Sequence, residues 1–292
     1  MSEPGVGGDE MPELPEVETV RRVLEPQVRG RKIEKIVVNR LEVIAHPSAE
    51  EFERKVSGQR ITGMGRRGKF LSIALDGKDT IWLHLRMTGQ LLVTPPEFPK
   101  EKHTHLVFYL DDGQEIRFID ARRFGRFWLL QEGETDIFTG IEKLGPEPFD
   151  PILTGDWLQK RLGKRKKSIK ECLLDQSILA GIGNIHGDEI LFWARVAPGR
   201  MACSLEMKEW ERLAVAIPAM LEKGIEDNRM TPEEYLAGKG KEYRNGPLLA
   251  YGREGQLCPR CSKTFCRIRL AGRSSTYCPA CQNENGVDIQ EK

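Results

Sequence analysis

Four cysteines near the C-terminal end fall into two matched pairs, Cys258-Pro259-Arg260-Cys261 and Cys278-Pro279-Ala280-Cys281, with sixteen residues between them. Two such knuckles offer four thiolates to one tetrahedral Zn2+. Four protein ligands leave no coordination position for water, so the ion is structural and stiffens a hairpin too small to fold alone. A redox dithiol would explain one pair and leave the other without a purpose. Between the outer cysteines lie Arg260, Lys263, Arg267, Arg269 and Arg273, and no acidic residue. A rigid basic hairpin suits a phosphate backbone. By itself it implies nucleic-acid contact and nothing finer. Cys266 reads as a bystander, and Cys172 and Cys203 as packing residues.

At the other end, Met11-Pro12-Glu13-Leu14-Pro15-Glu16-Val17-Glu18 puts a proline behind a methionine, carboxylates beside it and then the opening of a helix. Pro15 suits the first helical position, and Glu16 and Glu18 fall in the first turn, where the helix dipole favours negative charge. A chain beginning at Pro12 would hold a secondary amine at a helix entrance, which is a nucleophile. The same stretch also reads as an ordinary acidic helix start.

Other cations cluster in ways the formal net charge of +1 conceals. Lys160 to Lys170 holds seven basic residues and no acid, either a solvated helix face or a backbone-binding one. Leu179-Ala180-Gly181-Ile182-Gly183-Asn184-Ile185 then makes a glycine turn into a helix start, where backbone can approach an anion closely. Ala121-Arg122-Arg123-Phe124-Gly125 places two arginines beside an aromatic, a set suited to entering a base stack while a guanidinium reads an orphaned base. Phe124, and Met87 on a separate strand after His84, also read as core residues. Lys69, in Gly65-Arg66-Arg67-Gly68-Lys69-Phe70, is a further cation at a strand edge.

The elements that must position these groups divide the 292 residues in two. Val17, Val20 and Leu24 recur at helical spacing, and Pro26 is expected to end that helix. Short β-branched runs follow at 32–38, 70–75 and 80–85, with a hairpin of 105–110 and 115–119 around Asp112-Gly113. Ser48-Ala49-Glu50-Glu51 caps a short helix between strands. This half reads as a mostly antiparallel β domain with helices at its edge. Leu144-Gly145-Pro146-Glu147-Pro148 breaks the pattern as a linker. The second half is helical from about Asp156 to Gly224 with an interruption at 179–184, Thr231-Pro232-Glu233-Glu234 opens another helix, and the cysteine hairpin closes the chain. No apolar run approaches the ~20 residues of a membrane span. Met1 to Glu10 lacks the basic and apolar regions of a signal peptide. Seven cysteines, an odd number, argue for a metal in a reducing compartment rather than a disulfide framework.

From about Pro12 to Gln282 the chain resembles the bacterial formamidopyrimidine-DNA glycosylases, base-excision enzymes with an apurinic/apyrimidinic (AP) lyase activity. The resemblance is carried by Pro12-Glu13-Leu14-Pro15-Glu16, Arg122-Arg123-Phe124-Gly125, Gly181-Ile182-Gly183-Asn184-Ile185 and the four-cysteine finger, with Arg273 five residues before Cys278. It implies an α+β, two-domain fold: an N-terminal antiparallel β-sandwich with flanking helices, then a helix-two-turn-helix bundle with a zinc-finger β-hairpin, and damaged double-stranded DNA in the cleft between them. The implied divisions are an extension 1–11, a catalytic domain 12–145, a linker 146–152, a helix-two-turn-helix domain 153–246, a zinc finger 247–284 and a tail 285–292. The resemblance makes Pro12 the nucleophile at the sugar's anomeric carbon, forming a Schiff base before β- and δ-elimination. An α-amine titrates near ~8 and a lysine near ~10.4, so far more of the amine is free at neutral pH. It makes Glu13 the acid/base group at the ring oxygen, with Glu16 ordering the site. Lys69, His84, Asn184 and Arg273 match the phosphate clamp, with Lys69 also within the catalytic set. Met87, Arg122 and Phe124 match the residues that fill the void left by the everted nucleotide, with Arg123 beside them. Lys170 matches a basic residue near the lesion pocket. One structural Zn2+ on Cys258, Cys261, Cys278 and Cys281, no membrane, a monomer and a bacterial cytoplasmic, nucleoid-associated location complete the expectation.

Three features depart from the pattern. Family members begin at the proline, whereas ten residues precede Met11 here, and an amide-bonded Pro12 has no amine. Translation is expected to start at Met11 with its methionine removed, or the extension to be cleaved. The lesion-capping loop reads Asn228-Arg229-Met230-Thr231 in place of a Gly-Gly-Thr-Thr-like segment, which bears on 8-oxoguanine against ring-opened purines. His186 stands where a tyrosine is common. Three rival activities remain: an oxidised-pyrimidine glycosylase/lyase of the endonuclease VIII type, a catalytically silent damaged-DNA-binding protein with Pro12 blocked, and a bare zinc-ribbon binding module. Leu14 and the intact Arg-Arg-Phe segment favour the purine branch over the first.

Overall fold

The structure is a computed structural model that describes residues 11–238 and 246–282. The expected extension before Met11 and the tail 285–292 lie outside the described residues. In chain order the elements are α1 (Leu14–Val28), β1 (Ile33–Val38), β2 (Ile44–His46), α2 (Ala49–Val56), β3 (Ile61–Arg67), β4 (Phe70–Leu75), β5 (Thr80–His84), β6 (Gly89–Thr94), β7 (Thr104–Leu110), β8 (Glu115–Asp120), β9 (Arg126–Leu130), α3 (Gly155–Leu162), α4 (Ile169–Leu173), α5 (Asn184–Trp193), α6 (Met207–Asp227), α7 (Pro232–Ala237), β10 (Cys266–Leu270) and β11 (Arg273–Tyr277). Residues up to Glu142, joined by the stretch from Asn228, form one compact unit; Lys143–Asp227 and the stretch from Gly246 form the other.

In the first unit two sheets enclose a core. One runs β1-β7-β8-β6 and the other β2-β9-β5-β4-β3, and every pairing is antiparallel except β2 with β9. Phe118 of β8 meets Phe127 of β9 edge to face, ring centres 4.9 Å apart, which locks one sheet onto the other. The expected β-sandwich is therefore present. Helix α1 closes it by burying Val17, Val20, Leu24 and Val28, side chains worth about 1.5–3 kcal/mol each. Pro26 lies inside α1 rather than ending it, because the helix has only two residues left to run. The β7–β8 hairpin turns at Asp112-Gly113 as expected, with Gly113 at positive φ. The Ser48 cap on α2 forms, its hydroxyl accepting the Glu51 N–H at 3.2 Å. Strands β2, β3, β6 and β9 were not expected. β3 reads Ile-Thr-Gly-Met-Gly-Arg-Arg and lacks the branched run that marks a strand; pairing with β4 along its whole length decides it.

In the second unit α3, α4, α5 and α6 surround Leu158, Ile169, Leu173, Ile190 and the fully buried Trp210. The helical run expected over about 156–224 is broken not only near 179–184 but also between α3 and α4 and between α5 and α6. Two further places differ from expectation. The presumed linker is docked: Gly145 donates to the Gln176 carbonyl at 2.8 Å, and the Pro146 carbonyl accepts from Ala180 at 3.1 Å. Helix α7, grouped by its sequence position with the helical domain, packs into the first unit's core through Tyr235, whose hydroxyl donates to the Leu91 carbonyl at 3.1 Å. The Thr231/Glu234 capping box read from the sequence does form. Cys172 is buried and Cys266 exposed, as expected, but Cys203 is exposed rather than packed.

Candidate nucleic-acid interface and lyase site

The entry to α1 is built from carboxylates. Pro12 and Glu13 are buried ahead of the helix, and the Glu13 N–H donates to the Glu16 carboxylate at 2.9 Å. Glu16 thereby caps an orphan amide at the start of α1, next to Pro12. Glu18, further along α1, accepts from Arg21, Arg22 and Arg66. Burial raises the Glu18 carboxyl, but these guanidinium groups together hold it below its ordinary value. Arg66 also donates to the Gly68 carbonyl at 3.1 Å, which steadies the β3–β4 turn where Lys69 sits buried.

His84 ends β5 directly opposite Phe70, whose ring it meets edge to face at 4.7 Å. Its Nδ1 accepts the Arg86 N–H at 3.0 Å, so the ring proton resides on Nε2. Burial, with Arg86 and Lys69 nearby, lowers its pKa to about 3. At neutral pH His84 is a neutral donor, suited to a phosphate oxygen without a charge of its own.

Residues 121–124 are exposed. Phe124 is 48% exposed, Arg122 and Arg123 are exposed, and the Arg122 guanidinium lies 5.2 Å over the Phe124 ring. Phe124 is thus not a core residue, and Met87, half-buried outside the core cluster, lies in the turn between β5 and β6 rather than on a strand. Gly125 sits in a tight place: a Cβ there would stand 2.4 Å from the Phe118 ring. In the lesion-capping stretch, Met230 packs against the first unit's core while Arg229 is exposed, so only the arginine keeps its bulk outward.

In the second unit α4 and α5 are joined by a connection without regular structure. Gly181 adopts φ +92 and donates to the Gln176 side-chain oxygen at 2.9 Å, while the Gln176 amide donates to the Ile182 carbonyl at 2.7 Å. These bonds set Asn184 as the first residue of α5, a helix with no acid in its first turn. An anion is favoured at such an end. His186 is buried on the same helix.

The four cysteine sulfurs lie within 4.8 Å of one another, with Cys258 to Cys281 at 3.8 Å and Cys261 to Cys278 at 3.4 Å. A tetrahedral zinc with ~2.3 Å bonds to sulfur sets its ligands ~3.8 Å apart, so the residues fit the ion. Amides of Arg260 and Cys281 point at the Cys258 and Cys278 sulfurs, each at 3.4 Å, as thiolates require. The cluster holds one structural Zn2+. From it extend β10 and β11, closed by Ala271-Gly272, both at positive φ, which leaves Arg273 exposed beside the turn. Arg260, read as a phosphate ligand, instead donates to the Phe192 carbonyl at 2.6 Å and lies over the Phe192 ring. It caps α5.

Lys170 is held by a buried carboxylate. It is 2% exposed, and its ammonium lies 2.6 Å from Asp188 and 3.2 Å from the Ser274 carbonyl. Asp188 in turn accepts from the Ser275 hydroxyl and, at 2.8 Å, from the Thr276 N–H. Burial pushes the Asp188 carboxyl above its ordinary value despite these partners. Glu189 accepts three successive backbone N–H groups, from Leu249, Ala250 and Tyr251, each at 2.8 Å. Two adjacent acids of α5 therefore grip the finger at both of its ends. Nothing in the sequence marked either as more than a surface charge. A cavity of about 300 Å3 opens between α4 and the hairpin turn, with Lys167, Lys170 and Arg273 in its wall.

Residues 11–127 match the formamidopyrimidine-DNA glycosylase N-terminal domain, 144–234 the H2TH domain of the same enzymes, and 255–283 a zinc finger found in FPG and IleRS. The chain belongs to the formamidopyrimidine-DNA glycosylase family. It is 42% identical to the formamidopyrimidine-DNA glycosylase of Pelotomaculum thermopropionicum over 93% of this chain and 99% of that one. It is 45% identical to that of Moorella thermoacetica, over 89% and 95%. Among solved structures, a Lactococcus lactis Fpg in complex with abasic-site DNA superposes with a TM-score of 0.83 at 31% identity, covering 93% of this chain and 99% of that one. Another, an Fpg mutant of the same organism with Fapy-dG DNA, gives 0.84 at 33%, covering 93% and 100%. The match joins the four-cysteine site to the β-sandwich and the helical unit, which a bare zinc-ribbon module would lack.

Proposed function

We propose that this member of the family excises oxidised purines, formamidopyrimidines and 8-oxoguanine, from duplex DNA and then cleaves the abasic strand. The observation that carries the reading is the arrangement at α1: Pro12 buried ahead of the helix, with Glu13 adjoining and Glu16 holding the Glu13 amide. The Pro12 nitrogen attacks the sugar's anomeric carbon and expels the base, Glu13 exchanges a proton with the ring oxygen, and the resulting Schiff base undergoes β- and δ-elimination. Lys69, His84, Asn184 and Arg273 bind phosphates, and Lys69 also belongs to the catalytic set. Met87, Arg122 and Phe124 occupy the space of the everted nucleotide, with Arg122 toward the orphaned cytosine and Arg123 at the adjoining backbone. Lys170 serves DNA indirectly: its ammonium holds Asp188, and through it the strand that carries Arg273.

The chemistry requires Pro12 to be a free amine, so the active form begins at Pro12. The working state is a monomer, and its place is the bacterial cytoplasm at the nucleoid. Among the described residues no helix is long and apolar enough to cross a membrane. Borohydride trapping on lesion duplexes tests the reading. Protein beginning at Pro12 gives a covalent adduct, strongest on oxidised purines opposite C. Protein that keeps residues ahead of Pro12, whose nitrogen is then an amide, gives none. An adduct that survives this block moves the nucleophile to Lys69 or another amine, and one formed preferentially on oxidised pyrimidines moves the substrate.

A further inference from the structure

One buried carboxylate holds together every residue assigned to the space of the everted nucleotide. Asp120, the last residue of β8, is wholly inaccessible. Its Oδ2 accepts the Gly125 N–H at 2.8 Å and its Oδ1 the Arg122 N–H at 3.1 Å, so it spans the segment carrying Arg122 and Phe124 from beginning to end. The same Oδ1 receives the Thr88 hydroxyl, and Thr88 immediately follows Met87. The Arg122 N–H is shared with that hydroxyl, also at 3.1 Å. Behind them His105 Nε2 meets the Asp120 main-chain carbonyl at 2.8 Å, and Asp120 pairs with Gly89 across the sheet.

The segment needs such a hold. Arg123 sits at φ +63, a left-handed conformation that disfavours a side chain with a Cβ. Arg122, Arg123 and Phe124 are exposed, so apolar packing does little to set their directions. Hydrogen bonds to a buried carboxyl can do so, because they are directional and strong where solvent does not compete.

We propose that Asp120, acting with Thr88, is the positioning residue for opposite-base discrimination: it ties Met87 to Arg122 and Phe124 as one rigid wedge. This rests on the reading of those three residues given above. Discrimination by a guanidinium at a base edge is worth about 1–3 kcal/mol and is forfeited when the donors are misplaced, so about a tenfold loss of selectivity is expected.

The measurement is the ratio of borohydride-trapping rates for the same lesion opposite C and opposite A, in protein beginning at Pro12. Thr88→Val removes the hydroxyl and keeps the shape; the ratio falls about tenfold. Thr88→Ser keeps the hydroxyl and the parental ratio. Asp120→Asn replaces an acceptor oxygen with a donor facing an N–H, and lowers the ratio by a similar factor; it serves as the second variant if Thr88→Val does not fold. An unchanged ratio in Thr88→Val and Asp120→Asn overturns the proposal, as do equal losses in Thr88→Val and Thr88→Ser. Arg122→Ala separates the two levels. If it alone loses the ratio, the wedge reading stands and the role of Asp120 fails; if it keeps the ratio, the wedge reading fails and takes the proposal with it.

Discussion

The Lys170 ammonium lies 2.6 Å from the Asp188 carboxylate, with both side chains shut away from solvent. This pair joins α4 to α5, and through Ser275 and Thr276 it joins both to β11. Removing one partner leaves an uncompensated charge, at a cost of about 3–5 kcal/mol. Lys170→Met is therefore expected to lower the urea midpoint of the second unit sharply, and Lys170→Met with Asp188→Leu to recover much of the loss. A double-mutant cycle by denaturant unfolding checks it; additive losses would contradict the coupling.

Zinc removal should disarm DNA binding while sparing the first unit. The finger carries Arg273 on a two-stranded hairpin whose small apolar cluster is built around Phe265, Cys258 and Cys278. A chelator, or Cys258→Ser, should weaken binding to lesion DNA by at least tenfold and melt the hairpin. Circular dichroism should still show the sandwich transition.

His84 sets a pH dependence of stability. Its folded pKa, about 3, lies below the ordinary 6.5. Below pH ~6.5 the unfolded chain takes up a proton that the folded one refuses, so stability falls by about 1.4 kcal/mol per pH unit from this group until pH ~3. Above pH ~6.5 the effect vanishes. His84→Gln should flatten the difference between unfolding at pH 7 and pH 5. In contrast, the donor role of Nε2 should not vary between pH 8 and 6.

Gly125→Ala should be felt well beyond one methyl group. The added carbon would enter the Phe118 ring at 2.4 Å, in the seam between the two sheets. Overpacking of this kind costs about 1–3 kcal/mol. Thermal melting should fall, and the Arg122 and Phe124 segment should shift with it; an unchanged melting temperature would mean the ring yields freely.

Arg273→Ala should lower affinity for DNA and reduce the slope of log K against log salt by about one, as loss of one phosphate contact requires. Arg260→Ala should leave that slope nearly unchanged, because Arg260 is spent on the Phe192 carbonyl. A titration across salt concentrations separates the two arginines.

Much of this protein could be read without coordinates. The zinc ligands followed from spacing, since a Cys-x-x-Cys turn is a local structure and two of them suffice for a tetrahedral site. The helix starts at Ser48 and Thr231 followed from capping chemistry confined to four residues. The order of motifs was enough to indicate the family and, with it, the β-sandwich and the helical unit.

What the sequence left open was settled by contacts between distant residues. Phe124 and Met87 read equally as core or as surface, and only the sheets show Phe124 turned outward. Arg260 looked like a phosphate ligand and Lys170 like a base near the lesion pocket, yet they meet partners 68 and 18 positions away, inside the unit. Helix α7 follows α6 in sequence but packs by Tyr235 onto β6. Asp120 and Asp188, whose carboxylates bind the 121–125 segment and β11, carried no signal at all. A charged residue states its chemistry in the sequence; whether that charge faces solvent or a buried partner depends on what the rest of the chain brings to it.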